Sequence, residues 1–156
     1  MASKYIPKRI KSFDVQHSMT VVDYGCGYGR FTTFFSKKVG DDGRVFAVDI
    51  IPDAIKAIKK TISSLKLMNV EPILANGCNS GLQSDIADRI CAIDMFHSIN
   101  DVLPFLNELS RIIKKDGIVY IDYGHQSREQ ALEKITNANI FRIIEKHSQY
   151  AVLSRK

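Results

Sequence analysis

The residues best suited to chemistry lie in one short stretch, residues 20–31, which reads TVVDYGCGYGRF. Apolar residues lead into Asp23, and glycine then occupies every second position, at Gly25, Gly27 and Gly29. Glycine at the turn between a strand and a helix permits a tight turn, a close approach of a ligand to the backbone and close packing of the helix. The stretch therefore predicts a ligand-binding loop.

The spacing of these glycines indicates the kind of ligand. A dinucleotide pyrophosphate favours GxGxxG, whereas this loop reads GxGxG, with Asp23 two residues before the first glycine. Asp49 ends the next predicted strand, where a carboxylate can accept hydrogen bonds from both hydroxyls of a ribose. The alternatives are a strand–helix junction that binds nothing and a carboxylate that only caps its strand. Together the two features favour a ribose-containing ligand and disfavour a nicotinamide dinucleotide.

The elements that must position these residues alternate along the chain. Short runs that are apolar or β-branched through their middle predict strands covered on both faces. These strand-like runs are residues 19–25, 44–50, 70–76, 89–95, 117–124, 140–148 and 150–156.

Apolar residues at helical spacing predict four helices between the strands. The helices run from Gly29 to Gly40, from Pro52 to Leu65, from Asp101 to about Ile113, and from the Ser127–Gln130 capping box to about Ala138. The segment 77–88 offers only a short, poorly patterned helix.

The last two strand-like runs are separated by a gap too short for a crossover helix, so they must pair antiparallel. The pattern predicts an α/β fold: a doubly wound, mostly parallel seven-stranded sheet with one antiparallel strand and helices on both faces. Ligands of such sheets bind beyond the carboxyl ends of the strands, where the glycine loop and Asp49 both lie.

The composition argues against a membrane-spanning protein, a secreted protein and a protein built on disulfides or zinc. The 156 residues suit one domain, 45% of them are hydrophobic, and no apolar run approaches the ~20 residues of a membrane span. The N-terminus lacks the apolar region of a secretory signal. The three cysteines (Cys26, Cys78 and Cys91) have no CxxC spacing, which favours reduced thiols over a disulfide or zinc site. We therefore expect a cytoplasmic protein.

The formal net charge of +5 is concentrated near the N-terminus. Four basic residues precede the first acidic one: Lys4, Lys8, Arg9 and Lys11. This divides the chain into a basic arm, residues 1–18, and a single domain, residues 19–156. A basic arm can bind phosphate-rich partners, but we favour a solvated, frayed terminus.

One family carries these motifs together. VVDYGCGYGRF resembles motif I of class I S-adenosylmethionine-dependent methyltransferases, and VFAVDI resembles their second motif. ELSRIIKKDGIVYIDYG resembles the stretch that leads into their fifth strand. The resemblance covers roughly residues 19–156 and is closest to the small type 11 group, which includes quinone C-methyltransferases. It implies a Rossmann-like methyltransferase domain with S-adenosylmethionine as cofactor and S-adenosylhomocysteine as product.

The resemblance also implies roles for residues of the loop. Gly25, Gly27 and the backbone near Gly29 would hold the methionyl end of the cofactor. Asp23 would support the loop or bind the cofactor's ammonium group.

The same resemblance assigns the nucleoside contacts. Asp49 would bind the ribose, and Ile50 would pack on the adenine. Asn76 stands where the group usually has an Asp that faces the adenine amino group, and its amide oxygen can still accept that hydrogen bond. Lys115, Asp116 and Gly117 replace the usual Pro-Gly-Gly turn before the fifth strand, and Asp-Gly is still expected to turn well.

Candidates for a general base follow the fourth and fifth predicted strands. Asp94, His97 and His125 lie there, and either histidine can take a proton near neutral pH. A base is needed only if the attacking atom carries a proton. We favour the alternatives, in which His97 helps to close the cofactor pocket and His125 is a loop residue.

The absence of certain motifs narrows the range of possible methyl acceptors. No Asn/Asp-Pro-Pro-Tyr/Phe and no Pro-Cys follow the fourth strand, which argues against exocyclic amino groups and pyrimidine C5 as acceptors. Asp94 and Asp122 suggest a metal-dependent O-methyltransferase, but the Asp-Asn pair of that family is missing, so no metal site is expected.

These features predict in-line methyl transfer to an unidentified acceptor, for which a small molecule is favoured. An RNA or protein acceptor stays open, as does a non-catalytic, cofactor-binding subunit that activates a partner. Few residues precede the first strand, so the site is expected to be open, or covered by the basic arm or by a second subunit of a homodimer.

Overall fold

Seven strands form one sheet in the order β3-β2-β1-β4-β5-β7-β6 in the computed structural model, which describes residues 5–156. The strands are β1 (Thr20–Tyr24), β2 (Arg44–Asp49), β3 (Val70–Leu74), β4 (Ala87–Ala92), β5 (Ile113–Asp122), β6 (Phe141–Lys146) and β7 (Tyr150–Arg155). All neighbours pair in parallel except β7, which is antiparallel to both β5 and β6. The predicted doubly wound sheet is confirmed, and its order reverses between β1 and β4.

Five α-helices and one short 3-10 helix (Phe96–Ser98) accompany the strands within residues 5–156. The α-helices are α1 (Lys8–Lys11), α2 (Arg30–Val39), α3 (Pro52–Leu65), α4 (Val102–Ile112) and α5 (Arg128–Ala138). The apolar side chains of α4 and α5 pack in one core, whereas those of α1, α2 and α3 pack on the opposite face of the sheet. None of the described helices combines the length and apolarity needed to cross a bilayer.

Strand β1, at the centre of the sheet, contributes side chains to the cores on both faces. Val21 and Val22 are each completely buried, and they point to opposite faces of β1 because side chains alternate along a strand. Val22 joins the core beneath α4, and Val21 joins the core with Phe35 of α2. A strand covered on both faces is therefore apolar at consecutive positions, the pattern that its sequence shows.

The segment 77–86 is a loop and not the short helix that the sequence suggested. Its anchor is Glu108 of α4, whose carboxylate accepts hydrogen bonds from the Ser80 hydroxyl (2.6 Å) and backbone N–H (3.0 Å), and from Arg111 (2.7 Å). Burial raises the pKa of Glu108, but the bonds from Arg111 and Ser80 outweigh burial and hold that pKa below its ordinary value. Tertiary hydrogen bonds from Ser80 to Glu108 thus hold this segment as a loop.

The strand boundaries also shift near this loop. β4 begins at Ala87, earlier than expected, and β5 follows α4 directly at Ile113. The β4–β5 register shifts between the pairs Ala87–Ile113 and Arg89–Ile118. The turn expected at residues 116–117 is therefore an irregularity within β5.

The expectation of a frayed arm is wrong for residues 5–18, although Lys8 and Lys11 are exposed to solvent as expected. Ile10 and Phe13 are buried, and the Phe13 ring stacks on Tyr120 of β5 with a centroid distance of 4.1 Å. Arg9 donates to Asp122 at 2.7 Å. Lys4, another basic residue of the arm, lies outside the described residues.

We predict that Phe13→Ala lowers the free energy of unfolding by about 3–5 kcal/mol, because it removes a buried ring from a packed core. Met68→Ala is the matched control: Met68 is 94% exposed, whereas Phe13 is 3% exposed. Urea unfolding of both variants measures the effect. A loss of less than about 1 kcal/mol for Phe13→Ala would contradict the packing of the arm on the sheet.

Candidate functional site

The glycine loop is tied to the end of β2. The backbone N–H groups of Gly25 and Cys26 both donate to the carbonyl of Val48, at 2.8 and 3.0 Å. Gly25 has φ +81°, and a Cβ there would lie 2.8 Å from Cγ of Met95, so this position requires glycine. At Gly27, with φ +52°, a Cβ would have nothing within 4 Å. The backbone at Gly27 therefore borders open space, where a ligand can approach it closely.

Asp49 fastens this loop to the start of α3. Its Oδ2 accepts from the N–H of Gly27 at 2.8 Å, and its Oδ1 accepts from the N–H of Ile51 at 3.0 Å. A carboxylate oxygen can accept two hydrogen bonds. Each oxygen of Asp49 therefore keeps one acceptor position beyond those that the backbone uses.

Asp23 lies beneath the loop and not at its surface. It is 1% exposed, and Oδ2 accepts from the hydroxyl of Thr32 in α2 at 2.6 Å. Burial raises the pKa of Asp23 to about 7, against the lowering effect of the Thr32 bond, and the Asp49 charge adds to the rise. Asp23 thus links the glycine loop to α2, and the pKa of its carboxyl group is near neutral.

Apolar side chains are exposed beside the loop. Ile50 is 59% exposed and Ile51 is 55% exposed, directly after Asp49. Tyr28, between two glycines, is 77% exposed. We did not single out Tyr28 from the sequence, although an aromatic ring in a loop of glycines is itself a signal. Exposed apolar groups at a strand end offer a surface on which a flat ring can stack.

Asn76 follows β3 at the same edge of the sheet. Its backbone N–H donates to the carbonyl of Asn79 at 2.9 Å, and the N–H of Asn79 returns a bond at 3.0 Å. The side chain of Asn76 is exposed. The turn therefore fixes the backbone and leaves the amide available.

The three base candidates come together at the ends of β4 and β5. His125 Nε2 is 3.6 Å from Asp94 Oδ1, and the rings of His97 and His125 meet edge to face with centroids 4.9 Å apart. His97 packs on the backbone of Gly124, where a Cβ would lie 2.1 Å from Nδ1. The sequence placed each residue after the right strand but did not predict that the three side chains meet.

An open cleft of about 300 Å³ adjoins this cluster. Its lining consists mainly of polar and charged residues: Arg9, Asp94, Asp122, Tyr123, Gly124, His125, Gln126, Arg128, Ser148 and Gln149. The amide nitrogen and oxygen of Gln126 are buried and have no hydrogen-bond partner among the described residues. Sequence reasoning missed Arg9, Gln126 and Arg128 as cleft residues, because only the fold brings them together.

Tyr123 has a structural part in this cleft. Its hydroxyl donates towards the carbonyls of Tyr150 (2.9 Å) and His147 (3.0 Å), which ties the end of β5 to the β6–β7 turn. Burial raises the pKa of the Tyr123 phenol above its ordinary value. The phenol is therefore unsuited to accept a proton from a substrate.

Comparison with known proteins adds to this geometry. A family model described as a methyltransferase domain matches residues 16–153. A protein-L-isoaspartate O-methyltransferase of Methanococcus maripaludis is 34% identical over 80 residues, which cover 51% of this chain and 38% of that protein. A demethylmenaquinone methyltransferase of Bacillus mycoides is 24% identical over 110 residues, which cover 70% of this chain and 46% of that protein.

A solved structure matches over nearly the whole chain. It is the crystal structure of a SAM-dependent methyltransferase from Aquifex aeolicus, with a TM-score of 0.81 and 26% identity. The match covers 95% of this chain and 87% of the other. By contrast, the chain spans less than half the length of the two curated relatives.

The raised pKa of Asp23 predicts a pH dependence of stability. Because the pKa rises from 3.8 to about 7 on folding, the folded state holds a proton that the unfolded chain has released between those values. This contribution is fully present below pH 3.8 and is lost as the pH rises through about 7. Urea unfolding between pH 4.5 and 8 should show a decline of roughly 1 kcal/mol per pH unit in wild type relative to Asp23→Asn. Parallel pH profiles for the two proteins would contradict the assignment.

Proposed function

The chain belongs to the family of methyltransferase domains, as its resemblance to class I enzymes predicted, and we propose that it transfers a methyl group from S-adenosylmethionine to a small, polar acceptor. The observation that carries this proposal is the open glycine loop held by Asp49 at the switch point of the sheet. In open α/β sheets this is the place where nucleoside ligands bind.

The residues at the loop fit the cofactor. Backbone groups near Gly25 and Gly27 bind its methionyl end, because no side chain occupies the space beside Gly27. The free acceptor positions of Asp49 bind the two ribose hydroxyls. Ile50 packs on the adenine, and the amide oxygen of Asn76 accepts from its amino group. Asp23 supports the loop from beneath through Thr32.

Methyl transfer depends more on how the two reactants are positioned than on reactive side chains of the protein. When bound, the cofactor would supply an electrophilic methyl group, and in-line attack of an acceptor atom on that carbon would displace the neutral thioether. The protein then contributes by holding the two reactants in line and by excluding water. The intact glycine loop and Asp49 argue against the alternative of a non-catalytic subunit.

The cleft beside Gly124 is the proposed acceptor site. Its volume of about 300 Å³ lies at the lower end of the range for small-molecule pockets. Arg128 and the unpartnered amide of Gln126 favour an acceptor that carries a carboxylate or phosphate. Arg9 belongs to the arm, which supports the expectation that the arm helps to cover the site. A homodimer stays a prediction.

The names of the relatives suggest two acceptor chemistries to compare with this one. One is named for a menaquinone precursor and the other for isoaspartate in proteins. The polar lining of the cleft disfavours an apolar quinone. A protein acceptor would have to present a single side chain to the cleft. We therefore favour a small anionic molecule as the acceptor over a quinone or a protein.

We predict that Asp49→Asn weakens the binding of S-adenosylhomocysteine by about 1–3 kcal/mol, or roughly 5- to 150-fold in Kd, because the amide replaces one ribose acceptor by a donor. Titration calorimetry measures the effect. Asp53→Asn, an exposed carboxylate in the first turn of α3, is the control and should bind as wild type. Equal Kd values for the two variants, or tight NAD binding without S-adenosylhomocysteine binding, would overturn the cofactor assignment.

The acceptor assignment predicts that a change in the cleft raises the KM of the acceptor without changing cofactor binding. With methyl-labelled S-adenosylmethionine and a panel of small carboxylic and phosphorylated acceptors, Arg128→Gln should raise the KM of an active acceptor at least tenfold. The Kd of S-adenosylhomocysteine should not change. Arg142→Gln, an exposed arginine of β6 outside the cleft, is the control. Turnover only with an isoaspartyl peptide, an RNA or a demethylated quinone would refute the small anionic acceptor.

A further inference from the structure

Two histidines and one aspartate meet at the carboxyl edge of the sheet. Asp94 and His97 follow β4, and His125 follows β5, so the parallel pairing of these neighbouring strands brings the two loops together. One nitrogen from each histidine and one carboxylate oxygen all lie within 4.8 Å of one another. Imidazole nitrogen and carboxylate oxygen are common ligands of divalent transition metals.

One pair of candidate ligand atoms is already spaced almost as around a bound ion. Two ligand atoms at 2.0–2.2 Å from one zinc ion are separated by roughly 3.0–3.5 Å. The distance from His125 Nε2 to Asp94 Oδ1 is 3.6 Å. The side chains of His125 and Asp94 are 80% and 59% exposed, so both can rotate to complete the site without repacking the core.

One further observation supports a ligand at this cluster. Nδ1 of His97 is buried and has no hydrogen-bond partner among residues 5–156. A buried imidazole nitrogen without a partner destabilises the folded protein, and a bound partner would offset that cost.

We propose that Asp94, His97 and His125 bind one divalent transition-metal ion such as Zn²⁺. Two imidazoles favour such an ion over Mg²⁺, which prefers a shell of oxygen ligands. Asp94 and His125 also line the cleft, so the remaining coordination positions face the proposed acceptor site. The missing Asp-Asn pair, from which no metal site was expected, is an oxygen-rich ligand set and differs from the two imidazoles and one carboxylate of this cluster.

A role for the ion follows only if the proposed function holds. A hydroxyl or carboxyl oxygen of the acceptor would occupy an open position, and a bound hydroxyl would release its proton to water more readily. A lone pair of that oxygen would form the new C–O bond to the methyl group. The C–S bond of the sulfonium would break, and its electron pair would stay on sulfur.

Metal binding can be tested without cofactor or acceptor. Untagged, chelator-treated protein is titrated with Zn²⁺ by calorimetry and with Co²⁺ by visible absorption. We expect one ion per chain with a Kd of 10 μM or lower. Asp94→Asn and His125→Ala, which change exposed side chains, should each raise the Kd at least tenfold. His97→Ala should do the same if circular dichroism shows that it is folded.

The control is His147→Ala, because His147 also pairs with a carboxylate, Glu145, at 2.6 Å but lies outside the cluster. It should bind Zn²⁺ as wild type. Failure to bind Zn²⁺ and Co²⁺ below 100 μM, or binding that survives His125→Ala, would overturn the proposal. S-adenosylhomocysteine binding by the same samples separates this failure from that of the proposed function.

Discussion

The hydrogen bond from Gly27 to the carboxylate of Asp49 is the contact on which the site depends. In the parallel β1–β2 register Tyr24 pairs with Val48, so the glycine loop and Asp49 are the next residues on adjacent strands. The loop must bend over the end of β2 to meet that acid, and glycine allows the bend. A single carboxylate thereby fixes the loop, begins α3 through Ile51 and still has acceptor capacity for a ligand.

A second constraint arises at the other side of the switch point. β4 and β5 end beside each other, and the arm packs on the same sheet through Phe13 and Tyr120. This packing carries Arg9 to Asp122 at the mouth of the cleft. The proposed cofactor loop and the proposed acceptor cleft therefore use different strand ends, but Gly25 contacts Met95, which joins the two halves.

The sequence predicts those features that follow from local patterns. Buried parallel strands have continuous apolar runs, and a glycine loop after the first strand has a recognisable spacing, so the sheet and the positions of Asp23 and Asp49 could be read in advance. The anchor of the loop 77–86 could not, because Glu108 meets Ser80 only after α4 has packed. The arm was misjudged since its few apolar residues form no regular period. The meeting of His97 with His125 depends on two loop conformations that no local pattern specifies.

The sign of the charge beneath the glycine loop has its own consequence. The carboxylate of Asp49 places a negative charge at the glycine loop, to which Asp23 adds as the pH rises through about 7, and this charge attracts a cation. In the proposed reaction the sulfonium loses its positive charge when the methyl group leaves. The same acids that attract the charged cofactor therefore hold the neutral thioether less strongly, so the electrostatics of the loop favour turnover over retention of the product.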